Sequence, residues 1–445
     1  MREESPVHST HRARVLYIVS FLVLLSGFVS NNGSLVMVAL VVLAFLFGLR
    51  AYVTYVAAGL RDLKVEFDHD TPIDNGEFEV RVVIKNPGIA PLAFVEYNVR
   101  HSPFLKFVKG ATRGFIAVPA KSEVVIRMVC HGRVGRHRIG PLELQARDVF
   151  GLFKTRPYNT GAYTYIRIPP SYQVAVLRRL AAYARSVGLS RSRIAGAGVE
   201  FHSLRDYKPG DELKRIEWRK SVKLNRLVVR QTEREAQQNV YILLDSSHVM
   251  LVGPYARTVF EHMSRAMSAI VAYLAQRGDN FQVIVFGARR LVAMPTLMRS
   301  NAGLRVALEA MSSVDFEEVV KEERARSLLE AYNLLLMSLK RERNIIIIAT
   351  VVDSQEYYET LVKVVKELAG LKNIVYVVNP VITSYDMIGI PMWARGLYSL
   401  KTHELLTKQL NYSKLLRKSG VNTVVVTSLD APMKIATLIE QYRSR

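Results

Sequence analysis

"NVYILLDSSHVM", Asn239 to Met250, follows one polar residue with five consecutive apolar ones and then breaks into Asp, Ser and Ser. So short a run without polar alternation is the pattern of a strand buried on both faces. Similar runs follow at "FQVIVFG", "NIIIIATVVD", "NIVYVVNP" and "NTVVVTS". Between them lie amphipathic stretches such as "YARTVFEHMSRAMSAIVAYLAQRG" and "EYYETLVKVVKELAGL". Alternation of buried strands with helices predicts an α/β domain over residues 238–445, a doubly wound and mostly parallel sheet with flanking helices.

Upstream the periodicity changes. Residues 61–168 alternate apolar with polar, as in "FEVRVVIKNPG", where Phe78, Val80, Val82 and Ile84 share one face before an Asn-Pro-Gly turn. Short punctuated strands at this spacing predict a small β-sandwich of immunoglobulin-like type. Residues 169–237 form a basic connector, with fifteen Lys and Arg against seven Asp and Glu between Arg178 and Glu235. Residues 1–60 hold two uncharged apolar runs, Val15 to Ser30 and Ser34 to Leu49, separated by "NNG". Each extends into its flanks far enough to approach the roughly 20 residues that span a bilayer. A two-helix membrane hairpin follows, in preference to a cleaved signal peptide, because the second run comes at once. Arg2, Arg12 and Arg14 precede it and Arg61 and Lys64 follow it, so positive-inside bias predicts a two-pass cell-membrane protein with its soluble domains in the cytoplasm.

Over 445 residues the formal net charge is +22, which suits an anionic membrane face, an acidic protein partner or nucleic acid. The one cysteine, Cys130, excludes an intramolecular disulfide framework and a cysteine-rich zinc site, and it reads as a packed thiol. No Gly-x-x-x-x-Gly-Lys-Ser/Thr loop, His-Glu-x-x-His pair or dinucleotide fingerprint occurs. Ser247 and His248 are adjacent but lack a Gly-x-Ser-x-Gly elbow, so no catalytic residue is assigned.

In a parallel sheet, ligands gather outside the carboxyl ends of the strands. Asp245 and Asp353 each end such a strand, with hydroxyls nearby, an oxygen set that suits a hard divalent cation. This resembles the metal-ion-dependent adhesion site of von Willebrand factor A domains. The resemblance assigns Asp245, Ser247, Ser300 and Asp353 to a Mg²⁺ site, with Thr296 as an alternative to Ser300. Val249 stands where that pattern has a second serine. The competing reading is that both carboxylates cap the helices after their strands.

The connector ends in "GVEFHSLRDYKPGDELKRIEWRKSVKLNRLVVRQTERE", Gly198 to Glu235. With the upstream "RDVFGLF" of Asp148 and Gly151, it resembles a prokaryotic family known as domain of unknown function 58. The matching positions are Gly198, Glu200, Phe201, Arg205, Tyr207, Gly210, Asp211, Arg215, Ile216, Trp218, Ser221 and Glu235. Alternating Arg and acidic residues predict bidentate pairs, Pro209-Gly210 a turn, and the aromatics a mass that packs on the first strand of the sheet. Such a clamp is an interdomain brace, a docking surface for a partner protein or, least in keeping with its interleaved acids, a nucleic-acid contact.

The resemblance implies a non-enzymatic, membrane-anchored scaffold that binds protein partners through a von Willebrand factor A-like domain. It also implies that the scaffold works with a MoxR-type AAA+ ATPase in assembling or maturing protein complexes. The alternatives are a membrane-tethered nucleic-acid-binding protein, using Arg191, Arg193 and Lys223, and a metal-dependent hydrolase centred on Asp245 and Asp353. No small-molecule substrate is indicated.

Overall fold

A computed structural model describes residues 7–186, 194–209, 211–234, 237–253, 255–287, 290–316, 324–381 and 391–443. The chain divides into two compact units, Met1–Ile168 and Pro169–Arg445.

The first unit begins with helices α1 (His11–Val29) and α2 (Gly33–Gly59), both long and apolar enough to cross a membrane. They pack side by side, and a Cβ at Gly27 would stand 2.9 Å from Val36, so only glycine permits so close an approach. The side chain of Asn32 caps α2 by accepting from the Ser34 amide at 3.1 Å. Apolar side chains such as Phe28, Val29 and Met37 stay exposed along the hairpin, whereas Val53, Val56 and Leu60 at the end of α2 are buried. Those residues join the core of the β-strands that follow, and the Thr10 amide before α1 donates to the Leu152 carbonyl at 2.8 Å. Both open ends of the hairpin therefore meet the same β structure.

That structure contains β1 (Lys64–His69), β2 (Glu77–Asn86), β3 (Leu92–His101), β4 (Leu105–Lys109), β5 (Arg113–Val118), β6 (Ser122–Gly132), β7 (Gly135–Ala146) and β8 (Thr164–Ile168). One antiparallel sheet has the order β1-β2-β6-β4; the other joins β7, β3 and β5, with β8 also paired to β7. The two share one apolar core, which takes Phe78, Val80, Val82 and Ile84 from β2 and Val95, Leu142 and Leu144 from the other sheet. Alternation put those four β2 residues on one face, and all four are buried. Cys130 lies in this core, and burial pushes its thiol up to about 12. The "RDVFGLF" segment is a tight turn: Asp148 accepts from the amides of Phe150, at 2.8 Å, and Phe153, while Gly151 takes a φ of +66°.

The second unit contains α3 (Val174–Ser186), β9 (Ile194–Asp206), α4 (Trp218–Leu224) and β10 (Val228–Arg234), then β11 (Asn239–Asp245), α5 (Val259–Arg277), β12 (Asn280–Phe286), α6 (Ser300–Ser312), α7 (Arg324–Ser338), β13 (Ile345–Ala349), α8 (Gln355–Gly370), β14 (Ile374–Pro380), α9 (Met392–Lys418), β15 (Asn422–Val426) and α10 (Ala431–Arg443). The α/β architecture read from the buried runs is present. Five strands run parallel in the order β12-β11-β13-β14-β15, and Val292–Ala293 adds a short antiparallel edge beside β12. Every residue of β11 and β13 is buried, which is why neither alternates. On one face, Tyr241, Leu243, Ile346 and Ile348 pack with Leu328, Leu335, Leu361 and Val364 of α7 and α8. Helix α5 starts with a capping box, Thr258 with Glu261, and is tied to α10 by Tyr273, whose hydroxyl donates to Glu440 at 2.7 Å. The chain leaves β11 for β12 on one side and returns to β13 on the other, so the topology switches at the carboxyl end of β11.

Candidate functional site

Asp245 ends β11 at that switch point and is fully buried. Its Oδ1 accepts from the Ser247 amide at 2.8 Å. Gly287, just after β12, lies against this turn with a φ of +99°, and a Cβ there would meet Asp245 Oδ1 at 2.7 Å and the Ser247 nitrogen at 2.6 Å. Only glycine fits both that backbone angle and that space.

The other oxygen of Asp245 meets Arg324, the first residue of α7. Arg324 donates from Nη2 to Asp245 Oδ2 at 2.6 Å and to Thr350 Oγ1 at 3.0 Å, and its guanidinium also bonds Asp353 and the Val351 carbonyl. Thr350 Oγ1 in turn donates to Asp245 Oδ2 at 2.6 Å. Having given its one proton there, Thr350 accepts from the Tyr357 hydroxyl at 2.8 Å. The Tyr357 ring lies beneath the guanidinium, 3.8 Å from its carbon. Burial works against a charged Arg324, yet attraction to Asp245 and Asp353 outweighs it, so the group is held more firmly protonated than an ordinary arginine. Burial, with Asp245 nearby, raises the Tyr357 hydroxyl and keeps it neutral.

Asp245, Ser247 and Asp353 are thus gathered at one sheet edge, but Ser300 is not with them. Met298 pairs with Phe281 at the start of β12, whereas Asp245 stands beside Phe286 at its end. Five residues of strand, about 16 Å at 3.3 Å each, separate those levels, so α6 begins at the far end of the sheet. Thr350 is the hydroxyl that reaches Asp245. The capping alternative fails as well: Ser354 caps α8, and Asp245 closes a local turn rather than a helix. Ser247 Oγ is buried without a hydrogen-bond partner, so it makes no bond to His248.

These residues do not fit a divalent ion as they stand. A hard cation needs oxygen ligands at about 2.0–2.6 Å, and Asp245 Oδ2 is already taken by a guanidinium and a hydroxyl. Among the described residues no group of three or more His, Cys, Asp or Glu side chains is arranged to hold a metal.

The charged motif folds as an arm. Strands β9 and β10 pair antiparallel with register shifts around Phe201, and α4 lies in the connection between them. Arg205 grips Asp211 with two bonds of 2.6 Å, and the Lys208 amide adds a third at 2.9 Å. The hydrogen bond from Arg205, then that from the Lys208 amide, pulls the Asp211 carboxyl down to about 2. Ser221 is buried; its hydroxyl donates to the Glu217 carbonyl at 2.9 Å and accepts from the Val228 amide at 3.0 Å, fixing α4 to β10. Ile216 is buried and bridges to Val229, and the Tyr207 amide donates to the Leu227 carbonyl at 2.9 Å. Trp218, expected to pack on the sheet, is 60% exposed. Gly198, Glu200, Phe201 and Arg215 are described for their backbone only, and Gly210, Glu235, Arg191 and Arg193 lie outside the described residues.

Residues 203–380, which include the Arg324 cluster and the arm from Ser203 onward, match the family model described as "Protein of unknown function DUF58". The chain carries a DUF58 domain. Among solved structures, the DUF58-bearing chain is similar to the SpRpn10 VWA domain at 14% identity, over 46% of this chain and 95% of that one, with a TM-score of 0.28. It is also similar to proximal thread matrix protein 1 from the mussel byssus at 11% identity, over 47% and 46% of the two chains, with a TM-score of 0.28. A comparison with curated proteins found no match.

Proposed function

We propose that this protein is a membrane-anchored, non-enzymatic scaffold whose DUF58 domain, of von Willebrand factor A-like architecture, docks a protein partner. The reading rests on one observation above the others. On the arm, Leu213, Trp218, Val222, Leu224 and Leu227 are all exposed within fifteen residues of chain, interspersed with exposed Lys214, Arg219, Lys220 and Lys223. Large side chains held out from a braced element mark an interaction surface, and the cations around them favour an acidic partner. The family resemblance makes a MoxR-type AAA+ ATPase that partner, acting in assembly or maturation of protein complexes. In this reading the apolar hairpin is the anchor, and the cationic residues that flank it support soluble domains on the cytoplasmic side.

Nucleic acid is the weaker alternative. Among the described residues Asp211 pairs with Arg205 and Asp206 with Arg226, so two of the arm's bases already have carboxylate partners that would repel a phosphate.

The test is capture from native membranes by the intact protein and by Trp218→Ala with Val222→Asp. Recovery of a MoxR-type ATPase by the intact protein, lost in the variant, supports docking through the arm. Equal recovery by both moves the contact elsewhere, and recovery by neither removes the ATPase from the reading.

A further inference from the structure

At the carboxyl edge of the parallel sheet two carboxylates and two hydroxyls converge, those of Asp245, Asp353, Thr350 and Tyr357, and the Ser247 amide donates to Asp245. A buried Asp245 with no compensating charge would be strongly unfavourable. Some cation is required, and the chain has brought one of its own.

We propose that the Arg324 guanidinium is the resident cation of this site, bridging Asp245 and Asp353 where a divalent ion would otherwise stand, so that the site is complete without metal. Three observations carry this. The guanidinium reaches both carboxylates at once, and it is 6% exposed, held over the Tyr357 ring. Its Nη2 also meets Thr350, so the hydroxyl that would complete a metal shell is committed to the arginine and to Asp245. Ser247 Oγ, on the turn that Asp245 closes, is buried without a partner, so the planar fork of the guanidinium leaves it unused. Arginine cannot give up its charge at any physiological pH, so the bridge is permanent. A partner at this edge therefore meets two carboxylates already bridged by one guanidinium, a cluster that keeps one formal negative charge, and cannot be captured by completing a metal shell with its own carboxylate. The inference does not rest on the scaffold reading, and its test involves no partner.

The experiment is a Mn²⁺ titration of the full chain in detergent, read by the paramagnetic signal of the free ion, for the intact protein, Arg324→Ala, and Arg324→Ala with Asp245→Asn. The intact protein is expected to take up no stoichiometric Mn²⁺. Arg324→Ala is expected to take up one Mn²⁺ per chain, a gain of a site that the intact protein lacks. The added Asp245→Asn should abolish the gain. Stoichiometric Mn²⁺ binding by the intact protein that disappears in Asp245→Asn overturns the proposal, as does an Arg324→Ala variant that folds and binds none. Should Arg324→Ala fail to fold, the melting temperature of the intact protein decides: no change with millimolar Mg²⁺ or Mn²⁺ supports a metal-free site, and a rise that needs Asp245 overturns it.

Discussion

The DUF58 domain uses an arginine–carboxylate pair twice, in opposite surroundings. Arg324 and Asp245 are buried, with hydroxyls and a ring closing around them. Arg205 and Asp211 have better bidentate geometry, yet they stand at the surface of an arm. In water the second pair gains little, because solvent serves both charges nearly as well as they serve each other. In the interior no such substitute exists, and removal of either partner strands a charge. The first pair holds a topological switch point together; the second sets the shape of a surface. Burial, more than geometry, separates the two roles.

The strongest way to break this comparison is Arg324→Ala. It is expected to cost about 3–5 kcal/mol in denaturant unfolding of the full chain, the range for breaking a buried pair. A loss below about 1 kcal/mol, as for a surface pair, would erase the distinction. Next is Ser221→Ala, which leaves the Val228 amide without its acceptor where α4 meets β10. About 1–3 kcal/mol is expected, read as faster hydrogen exchange at Val228.

The exposed pair itself is best probed by pH. The folded carboxyl of Asp211 sits near 2, below its unfolded value of roughly 3.9, so the folded arm favours the ionised form. That stabilisation is complete above about pH 4 and is lost as the pH falls toward 2. Protection of the Lys208 amide, which donates to the same carboxylate, should follow that curve and be flat at neutral pH. Loss of protection centred near pH 4 would mean that Arg205 does not hold the carboxylate. The smallest stability effect is expected from Trp218→Ala, within about 0.5 kcal/mol, because the ring is largely in solvent. A much larger loss would make Trp218 a packing residue and remove the main support for docking.

Much of the frame was legible. Strands with no polar face announced a sheet covered on both sides, and strict alternation marked inward positions such as Val80, Val82 and Ile84. An Asp directly after a buried strand could be placed at the carboxyl edge without further information, which located both Asp245 and Asp353. Ser300 was misplaced because distance along the chain does not say at which end of the sheet a helix begins. The partner of Asp245 was missed altogether: Arg324 lies 79 residues away at the start of an ordinary-looking helix, and no local pattern distinguishes it from its neighbours. Thr350 stood within a quoted strand end, but only pairing of β11 with β13 shows that its hydroxyl meets Asp245.

By itself, then, the sequence determined what depends on neighbours in the chain: two apolar helices, the switch from period-two strands to buried ones, and the composition of the arm. The tertiary structure decided which charge neutralises the buried carboxylate and which aromatic faces water. Those outcomes depend on what is excluded from solvent, and burial is a property of the assembled surfaces rather than of any one segment.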